Sequence, residues 1–334
     1  MIRAGLFALL LAGAPAAPEP VAGTVQREAH ALDSLIALDA KVERIAEGYT
    51  WSEGPVWIRE GGYLLFSDVP ENRMYRWREG EGASLFLQPS GYAGSDLSPF
   101  REAGSNGLEA GPDGTLLIAD SGSRAIARLD LATKRKQLLI DRYAGKRFNS
   151  PNDLVRGPDG SIWFTDPPYG LKGLDASPVK EQAVNGVYRL TRAGTITLVD
   201  GSFSFPNGIA LSPDARTLYV SNSDPKRAVI VAFSLSPDGA ILSRHVFADM
   251  TKLAAQGLPG LPDGLSVDAR GNLWASGPGG IHIFAPDGRE LGRIDAGTAI
   301  SNCAFGGADG KTLFMTAGHM ILRVRTKVKG LIFP

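Results

Sequence analysis

The sequence predicts an all-β protein, a six-bladed β-propeller, and three observations predict it. First, the 334 residues include 41 glycines and 22 prolines, and such a density of turn-forming residues favours many short strands. Second, one pattern of strand, turn and strand recurs six times along the chain. Third, no long stretch between these copies shows the helical periodicity that an α/β fold would require.

Each copy of the repeat starts with an oxygen-bearing residue and continues with a short strand, a turn and a second strand. In the third copy, β-rich runs at 154–157 and 161–165 flank a Pro-Asp-Gly turn. Further strand candidates, such as 186–190 and 280–284, lie between the copies. They bring the number to about four strands per copy, which is typical of a propeller blade. The copies begin at Glu53, Asn106, Asn152, Asn207, Asp263 and Asn302.

Residues 1–16 are predicted to be a signal peptide. Arg3 precedes the apolar stretch AGLFALLLA, and the small residues Ala14 and Ala16 offer a cleavage site. A membrane anchor is the alternative, but about 20 apolar residues are needed to span a bilayer. No later segment of the sequence is that long and apolar. We therefore expect secretion, into a bacterial periplasm, and no membrane span after cleavage.

Residues 17–40 are predicted to form an N-terminal extension, with a short helix at 31–38 outside the ring. The propeller domain is predicted to span residues 41–334. Residues 41–45 (KVERI) alternate with period two and precede the first copy. This pattern indicates a strand that pairs with the last blade and closes the ring.

Composition excludes several classes of function. The 35 lysines and arginines balance 35 aspartates and glutamates, so the chain lacks the basic excess of nucleic-acid-binding proteins. Cys303 is the single cysteine, which rules out a disulfide framework and a thiolate zinc site. The histidines (His30, His245, His282 and His319) lack the spacing of a zinc hydrolase, and no Gly-x-Ser-x-Gly motif marks a serine hydrolase. The sequence gives no indication of oligomeric state.

The first residue of every copy is a candidate site residue. In a propeller, equivalent positions at the start of the innermost strands face one point on the channel axis. Glu53 and Asp263 are carboxylates and the other four are asparagines. This ring offers the oxygen ligands that a hard divalent cation such as Ca²⁺ takes, and it predicts a metal site in the central channel. The alternative is that these side chains only cap turns and the starts of strands.

Several stretches of the chain resemble one protein family. EGPVW at 53–57, followed by LLFSDVPENRMYRW, is similar to the first blade of gluconolactonases. The similarity continues through FNSPNDLVRGPDGSIWFTDPPYGL (148–171), FPNGIALSPDARTLYVSNSD (205–224), LPDGLSVDARGNLWASGPGGIHIF (261–284) and NCAFGGADGKTLFMTA (302–317). The family is that of the senescence-marker protein, gluconolactonase and luciferin-regenerating enzyme, and several of these motifs resemble its bacterial gluconolactonases.

The resemblance implies a six-bladed propeller with a catalytic divalent cation in the central channel. The cation is commonly Ca²⁺, with Zn²⁺, Mn²⁺ and Mg²⁺ as alternatives. Matched residue by residue, the resemblance implies Glu53, Asn207 and Asp263 as metal ligands, and Asn152 as a further ligand or a substrate contact. Asp263 also matches the carboxylate that has the acid/base role. Asn106 matches a less diagnostic position and is a candidate substrate contact, a neighbour of the ligands or a structural residue.

Two further residues are candidate substrate contacts. Arg147 precedes the third copy, but animal family members have Arg-x-Asn-Asp-Gly where this chain has RFNSPND (147–153), so the match is inexact. Tyr169 lies in loop 167–186, which is expected to form the channel mouth together with loop 88–104. Its ring either contacts the sugar or only packs the loop.

The implied activity is metal-dependent hydrolysis of a sugar lactone, such as glucono-1,5-lactone, to the aldonic acid. The cation would polarise the lactone carbonyl, and Asp263 would orient or deprotonate the attacking water. One alternative is another metal-dependent propeller hydrolase acting on aryl esters, organophosphates or a non-sugar lactone. Another is a non-catalytic periplasmic binding propeller. The carboxylates of Glu53 and Asp263 argue against the latter, because a scaffold needs no charges on its axis.

Overall fold

Six antiparallel sheets surround a central channel in the computed structural model, which describes residues 19–20 and 23–331. Four of the sheets have four strands and two have five. The predicted all-β fold with six blades is confirmed. The predicted signal peptide, residues 1–16, lies outside the described residues. Among the residues that are described, no helix is both long and apolar enough to cross a bilayer.

The blades are numbered in chain order, and the strands of each are given from the innermost outwards. Blade 1 contains Ser52–Ile58, Tyr63–Asp68, Arg73–Arg78 and Gly82–Leu87. Blade 2 contains Leu108–Ala110, Thr115–Asp120, Ala125–Asp130 and Lys136–Ile140. Blade 3 contains Leu154–Arg156, Ile162–Asp166, Gly186–Leu190 and Ile196–Asp200.

The last three blades complete the ring. Blade 4 contains Pro206–Leu211, Thr217–Asp224, Arg227–Leu235 and Ile241–Asp249. Blade 5 contains Leu265–Val267, Leu273–Gly277, Gly280–Phe284, Glu290–Asp295 and Thr24–Arg27. Blade 6 contains Asn302–Gly306, Thr312–Ala317, Met320–Arg325, Val42–Glu47 and Glu19–Pro20. Within residues 23–331, the elements outside the blades are a hairpin (Arg142–Tyr143 with Lys146–Arg147), two 3₁₀ helices (His30–Ser34 and Leu174–Ala176) and one α-helix (Thr251–Ala255).

The ring is closed by a strand from the N-terminal part of the chain. Val42–Glu47 pairs antiparallel with Met320–Arg325, and Val42 lies opposite Val324. This confirms the pairing predicted for residues 41–45. The innermost strands contact one another from blade to blade around the whole ring, including blade 6 against blade 1.

The predicted N-terminal extension adds strands to two blades. Thr24–Arg27 pairs with Glu290–Asp295 at the outer edge of blade 5. The helix predicted at 31–38 is a shorter 3₁₀ helix, His30–Ser34, and its Leu32 is fully buried in the core between blades 5 and 6. The extension therefore contributes to the core.

The hydrophobic cores lie between blades because each strand presents alternate side chains to the two neighbouring blades. Between blades 3 and 4, Trp163 and Val187 pack in one cluster with Leu218, Val220 and Phe233, and each of these residues is at most 2% exposed. The apolar side chains stabilise the stack of sheets, while the inner edges of the sheets are left to line the channel.

Candidate active site in the central channel

The six residues that open the repeats lie at the start of the innermost strands, either among the first two strand residues or two residues before the strand. They are Glu53, Asn106, Asn152, Asn207, Asp263 and Asn302. Five of them are buried, and Asp263 is partly exposed. Because the innermost strands form one ring, the structure brings the four predicted metal ligands to the same end of the channel.

Glycine follows the repeat residue in four copies because the next blade passes close to it. A Cβ on Gly54 would lie 2.1 Å from the carbonyl oxygen of Asn106. A Cβ on Gly208 would lie 2.1 Å from the carbonyl oxygen of Asp263. Gly54 also has a φ of +52°, in the left-handed region that favours glycine. The start of each of these strands is therefore packed directly on the next repeat residue, which holds the polar side chains together.

Glu53 and Asp263 carry like charges that interact in the channel. Burial, followed by repulsion from Asp153 and Glu102, raises the pKa of Glu53 to about 8, although the Gly54 N–H donates to its Oε2 at 3.0 Å and opposes that shift. Burial and the charge of Glu53 raise the pKa of Asp263 well above its ordinary value. Both shifts have the cause expected for carboxylates that share a site with little water.

Asn302 connects Glu53 to a third carboxylate, Asp153. The side chain of Asn302 donates toward both carboxylates, while its Oδ1 accepts from the Cys303 N–H at 2.8 Å. The Leu154 N–H donates to Asp153 Oδ1 at 2.9 Å. Burial nevertheless raises the pKa of Asp153 to about 7. The third copy therefore adds a negative group at a position where four copies have glycine.

The oxygen atoms around the channel fit a hard cation. Among the described residues, no donor reaches the buried Oδ1 of Asp263 or the buried Oδ1 of Asn106. Asn207 donates its Nδ2 to Ser223 Oγ at 2.9 Å, which leaves its Oδ1 as an acceptor. No three His, Cys, Asp or Glu side chains of the described chain form a metal cluster. A cation here would take carboxylate oxygens from Glu53 and Asp263 and complete its shell with amide oxygens.

Tyr169 is positioned beside these groups. Its ring stacks on Phe205 with the centroids 5.7 Å apart, and its hydroxyl lies beside Ser223 and Asn207. Burial, together with the charge of Asp263, raises the pKa of the phenol. The ring of Tyr169 therefore packs the loop, and its hydroxyl faces the candidate site.

Arg147 forms hydrogen bonds with two residues at the rim of the channel. Its Nη2 donates to the carbonyl oxygen of Ser123 at 2.9 Å, and its N–H donates to Glu181 Oε2 at 2.8 Å. The hydrogen-bond partners of Arg147 are thus rim residues and not the channel carboxylates. Its role as a substrate contact stays a prediction.

Two carboxylates whose charges act on Glu53 and Asp263 were not predicted from the sequence. Asp153 could have been found in the repeat itself, because its position holds glycine in four other copies. Glu102 lies in loop 88–104, which has no repeat and no motif, and it is 9% exposed. Only the folded loop places its charge near Glu53 and Asp263.

Comparisons with known proteins agree on one family. Residues 51–319 match the family described as the SMP-30/Gluconolactonase/LRE-like region. A gluconolactonase of Zymomonas mobilis is 49% identical over 312 residues, 92% of this chain and 87% of that protein. A pentonolactonase of Haloferax volcanii is 27% identical over 267 residues, 79% of this chain and 80% of that protein. The structure of a gluconolactonase from Xanthomonas campestris matches with a TM-score of 0.80 at 36% identity, covering 94% of this chain and 98% of the other.

Proposed function

Because this chain belongs to the SMP-30/gluconolactonase/LRE-like family, we propose that it hydrolyses a sugar lactone such as glucono-1,5-lactone, with Ca²⁺ as its cation. The enzyme would be a hydrolase acting on a cyclic ester. One observation carries the proposal at the site. Two interacting carboxylates, Glu53 and Asp263, lie among amide oxygens at one end of the channel. The names of the relatives in Zymomonas and Xanthomonas support a lactone as the substrate.

Glu53, Asn207 and Asp263 would hold the cation, with Asn152 as a further ligand or a substrate contact. The Oδ1 of Asp263, which no donor reaches in the described part of the chain, supports this assignment, as does the bond of Asn207 Nδ2 to Ser223 Oγ, which leaves the amide oxygen of Asn207 as the acceptor. When bound, a divalent cation supplies Lewis-acid polarisation of the lactone carbonyl and stabilises the negative charge that develops on its oxygen. The two carboxylates offset the charge of Ca²⁺, which takes oxygen ligands. Zn²⁺, Mn²⁺ and Mg²⁺ are the alternative cations, and the test below compares them.

Asp263 carries the proton transfer in the proposed mechanism. Its carboxylate accepts a proton from the water that attacks the lactone carbonyl carbon, and a new carbon–oxygen bond forms. When the ring carbon–oxygen bond breaks, the carboxyl group returns the proton to the departing ring oxygen. The product is the open-chain aldonic acid. Burial and the charge of Glu53 raise the pKa of Asp263 in the metal-free chain, so its carboxylate is a stronger base than that of an exposed aspartate.

Asn106 and Tyr169 would orient the substrate. The Oδ1 of Asn106 is buried without a donor among the described residues, so it is available to a substrate hydroxyl. The Tyr169 hydroxyl lies on the blade 4 side of the same space, beside Asn207. Asn152 either completes the cation shell or contacts the lactone.

Lactone opening in the presence and absence of cation tests the proposal. Chelator-treated protein would be given Ca²⁺, Zn²⁺, Mn²⁺ or Mg²⁺, and acid release from glucono-1,5-lactone would be followed above the spontaneous rate. We expect Ca²⁺ to accelerate opening at least about tenfold over chelator, since a bound cation contributes several kcal/mol of charge stabilisation. Equal rates with calcium and chelator would contradict the proposal. Turnover of an aryl ester or organophosphate without lactone opening would favour the other hydrolase class, and calcium binding without any turnover would favour a binding propeller.

Calcium is expected to raise the melting temperature more at pH 8 than at pH 5. Burial and the charges of Asp153 and Glu102 raise the pKa of Glu53 to about 8, and burial with Glu53 raises that of Asp263. The metal-free folded chain therefore binds protons that the unfolded chain releases, so its stability falls as the pH rises from about 4 to 8. Bound calcium requires the ionised carboxylates and offsets that loss. Thermal unfolding at four pH values with calcium or chelator measures the effect, and a calcium shift independent of pH would contradict it.

We also propose that the chain is exported to a bacterial periplasm. The apolar stretch AGLFALLLA and the small residues of Ala14-Pro15-Ala16 support this. N-terminal sequencing of the protein from its host tests the proposal, because cleavage after Ala16 would leave Ala17 first and retained Met1 would contradict export.

A further inference from the structure

Glu102 belongs to a segment whose backbone is hydrogen bonded to residues of three blades. The Gly104 N–H donates to the Val69 carbonyl of blade 1 at 3.0 Å, and the Gly122 N–H of blade 2 donates to the Gly104 carbonyl at 3.1 Å. A Cβ on Gly122 would lie only 1.9 Å from the Ala103 carbonyl oxygen. The backbone beside Glu102 is therefore held by close contacts on both sides.

The loop of blade 3 that carries Tyr169 holds the same segment from a third direction. The N–H groups of Arg101 and Glu102 donate to the Gly170 carbonyl at 2.9 and 3.3 Å. Phe100 forms a bridge with Leu171. Loops 88–104 and 167–186, both predicted from the sequence to form the mouth, are thus joined into one wall that contains Glu102.

The Glu102 side chain is largely buried, at the point where loop 88–104 meets the loop that carries Tyr169. The side chain is only 11% exposed, and its carboxylate pairs with Arg101, whose Nη2 lies 3.1 Å from Oε1. In the described part of the chain, Arg101 is its one ion-pair partner. Beyond the effect of burial, the charge of Glu102 raises the pKa of Asp263, Glu53 and Tyr169. These three groups come from different elements, and the bond from the Glu102 N–H to the carbonyl of Gly170, the neighbour of Tyr169, places Glu102 beside the same site.

We propose that Glu102 is a specificity-determining residue that accepts hydrogen bonds from the ring hydroxyls of the lactone. This inference rests on the proposed function. An ionised carboxylate is purely an acceptor with about four lone-pair positions, and Arg101 contacts one of its two oxygens. The hydroxyls of a polyhydroxylated ring can donate to the other oxygen. A lactone without hydroxyls would offer no donor to the oxygen of Glu102 that Arg101 does not contact, which disfavours its binding.

Two lactones with the same ring separate this role from a role in bond cleavage. Glu102→Gln would be compared with the native chain on glucono-1,5-lactone and on δ-valerolactone, which lacks the hydroxyls. For the hydroxylated lactone we expect KM to rise about 10- to 100-fold with little change in kcat, the effect of losing a hydrogen bond to a charged group. For δ-valerolactone we expect kcat/KM to stay the same or rise. Inhibition by glucono-1,5-lactam, which keeps the hydroxylated ring, should weaken by the same factor as KM rises.

Glu71→Gln is the matched control, because Glu71 lies on the same face of blade 1, is exposed, and accepts from Thr50 Oγ1 at 2.9 Å. This variant removes one negative charge near the mouth and should leave KM and kcat unchanged for both lactones. The inference would be overturned if Glu102→Gln lowered kcat/KM equally for both lactones, or if it changed only kcat. Lactam inhibition that is absent, or that is the same in the variant and the native chain, would also overturn it. A native chain that opens neither lactone would instead contradict the proposed function. Retention of the calcium-induced thermal shift in Glu102→Gln shows that the site is still folded.

Discussion

Asp263→Asn is expected to lower kcat for glucono-1,5-lactone by about a thousandfold in calcium-saturated protein, within the range that a positioned general base contributes. Asparagine has nearly the same size, but its amide cannot accept the proton. It also removes one of the two charges that would hold the cation beside Glu53. Initial rates across a calcium titration measure both effects, and the calcium-induced rise in melting temperature should shrink or disappear.

The same variant should be at least as stable as the native chain when both are metal-free at pH 8. Replacing Asp263 removes a charge that Glu53 repels in a buried site, so lost activity will not reflect unfolding. Asp96→Asn is the control, since Asp96 is exposed in loop 88–104 and its Oδ1 accepts from the Ser98 N–H at 3.0 Å. It should retain activity within about twofold. Retention of a tenth or more of the native kcat by Asp263→Asn, with an unchanged calcium shift, would contradict the assigned role.

The ring of polar residues was predictable because it is periodic. Propeller symmetry maps one position in each repeat onto one place in space, so the repeat alone places Glu53 and Asp263 together although they are more than 200 residues apart. The closing strand, Val42–Glu47, was predictable for a similar reason. Its alternating pattern indicates a strand that pairs with the edge of a sheet, and the last blade has such an edge at Met320–Arg325.

The parts of the molecule that break the periodicity could not be predicted in this way. Glu102 lies in a loop between blades, and its position depends on backbone contacts with Val69, Gly122 and Gly170, which are distant in sequence. Thr24–Arg27 is only four residues long and pairs with the outer edge of blade 5. Such a short strand carries no pattern of its own, so only its tertiary partner defines it.

Removal of residues 1–47 is expected to unfold the protein or to cause aggregation. The deletion takes away the closing strand and the buried side chains of Leu32, Leu35, Ile36 and Val42, each at most 2% exposed. At about 1.5–3 kcal/mol for each buried side chain, the loss approaches the whole stability of a typical domain, about 5–15 kcal/mol. It also leaves the edge of Met320–Arg325 unpaired, and such an edge promotes association between chains.

Deletion of residues 1–22 is the matched control, because it keeps Thr24–Arg27, Leu32 and Val42–Glu47. Its melting temperature should stay within about 4 °C of that of the native chain, the change expected for about 1 kcal/mol in a protein of a few hundred residues. Circular dichroism and size-exclusion chromatography would compare the two truncations. If the chain without residues 1–47 melted cooperatively as a monomer at the native temperature, closure by Val42–Glu47 would not be what stabilises the ring. If addition of a peptide spanning residues 23–47 restored the fold and the calcium response, the stabilisation would come from pairing with Met320–Arg325 and from the buried side chains of that segment.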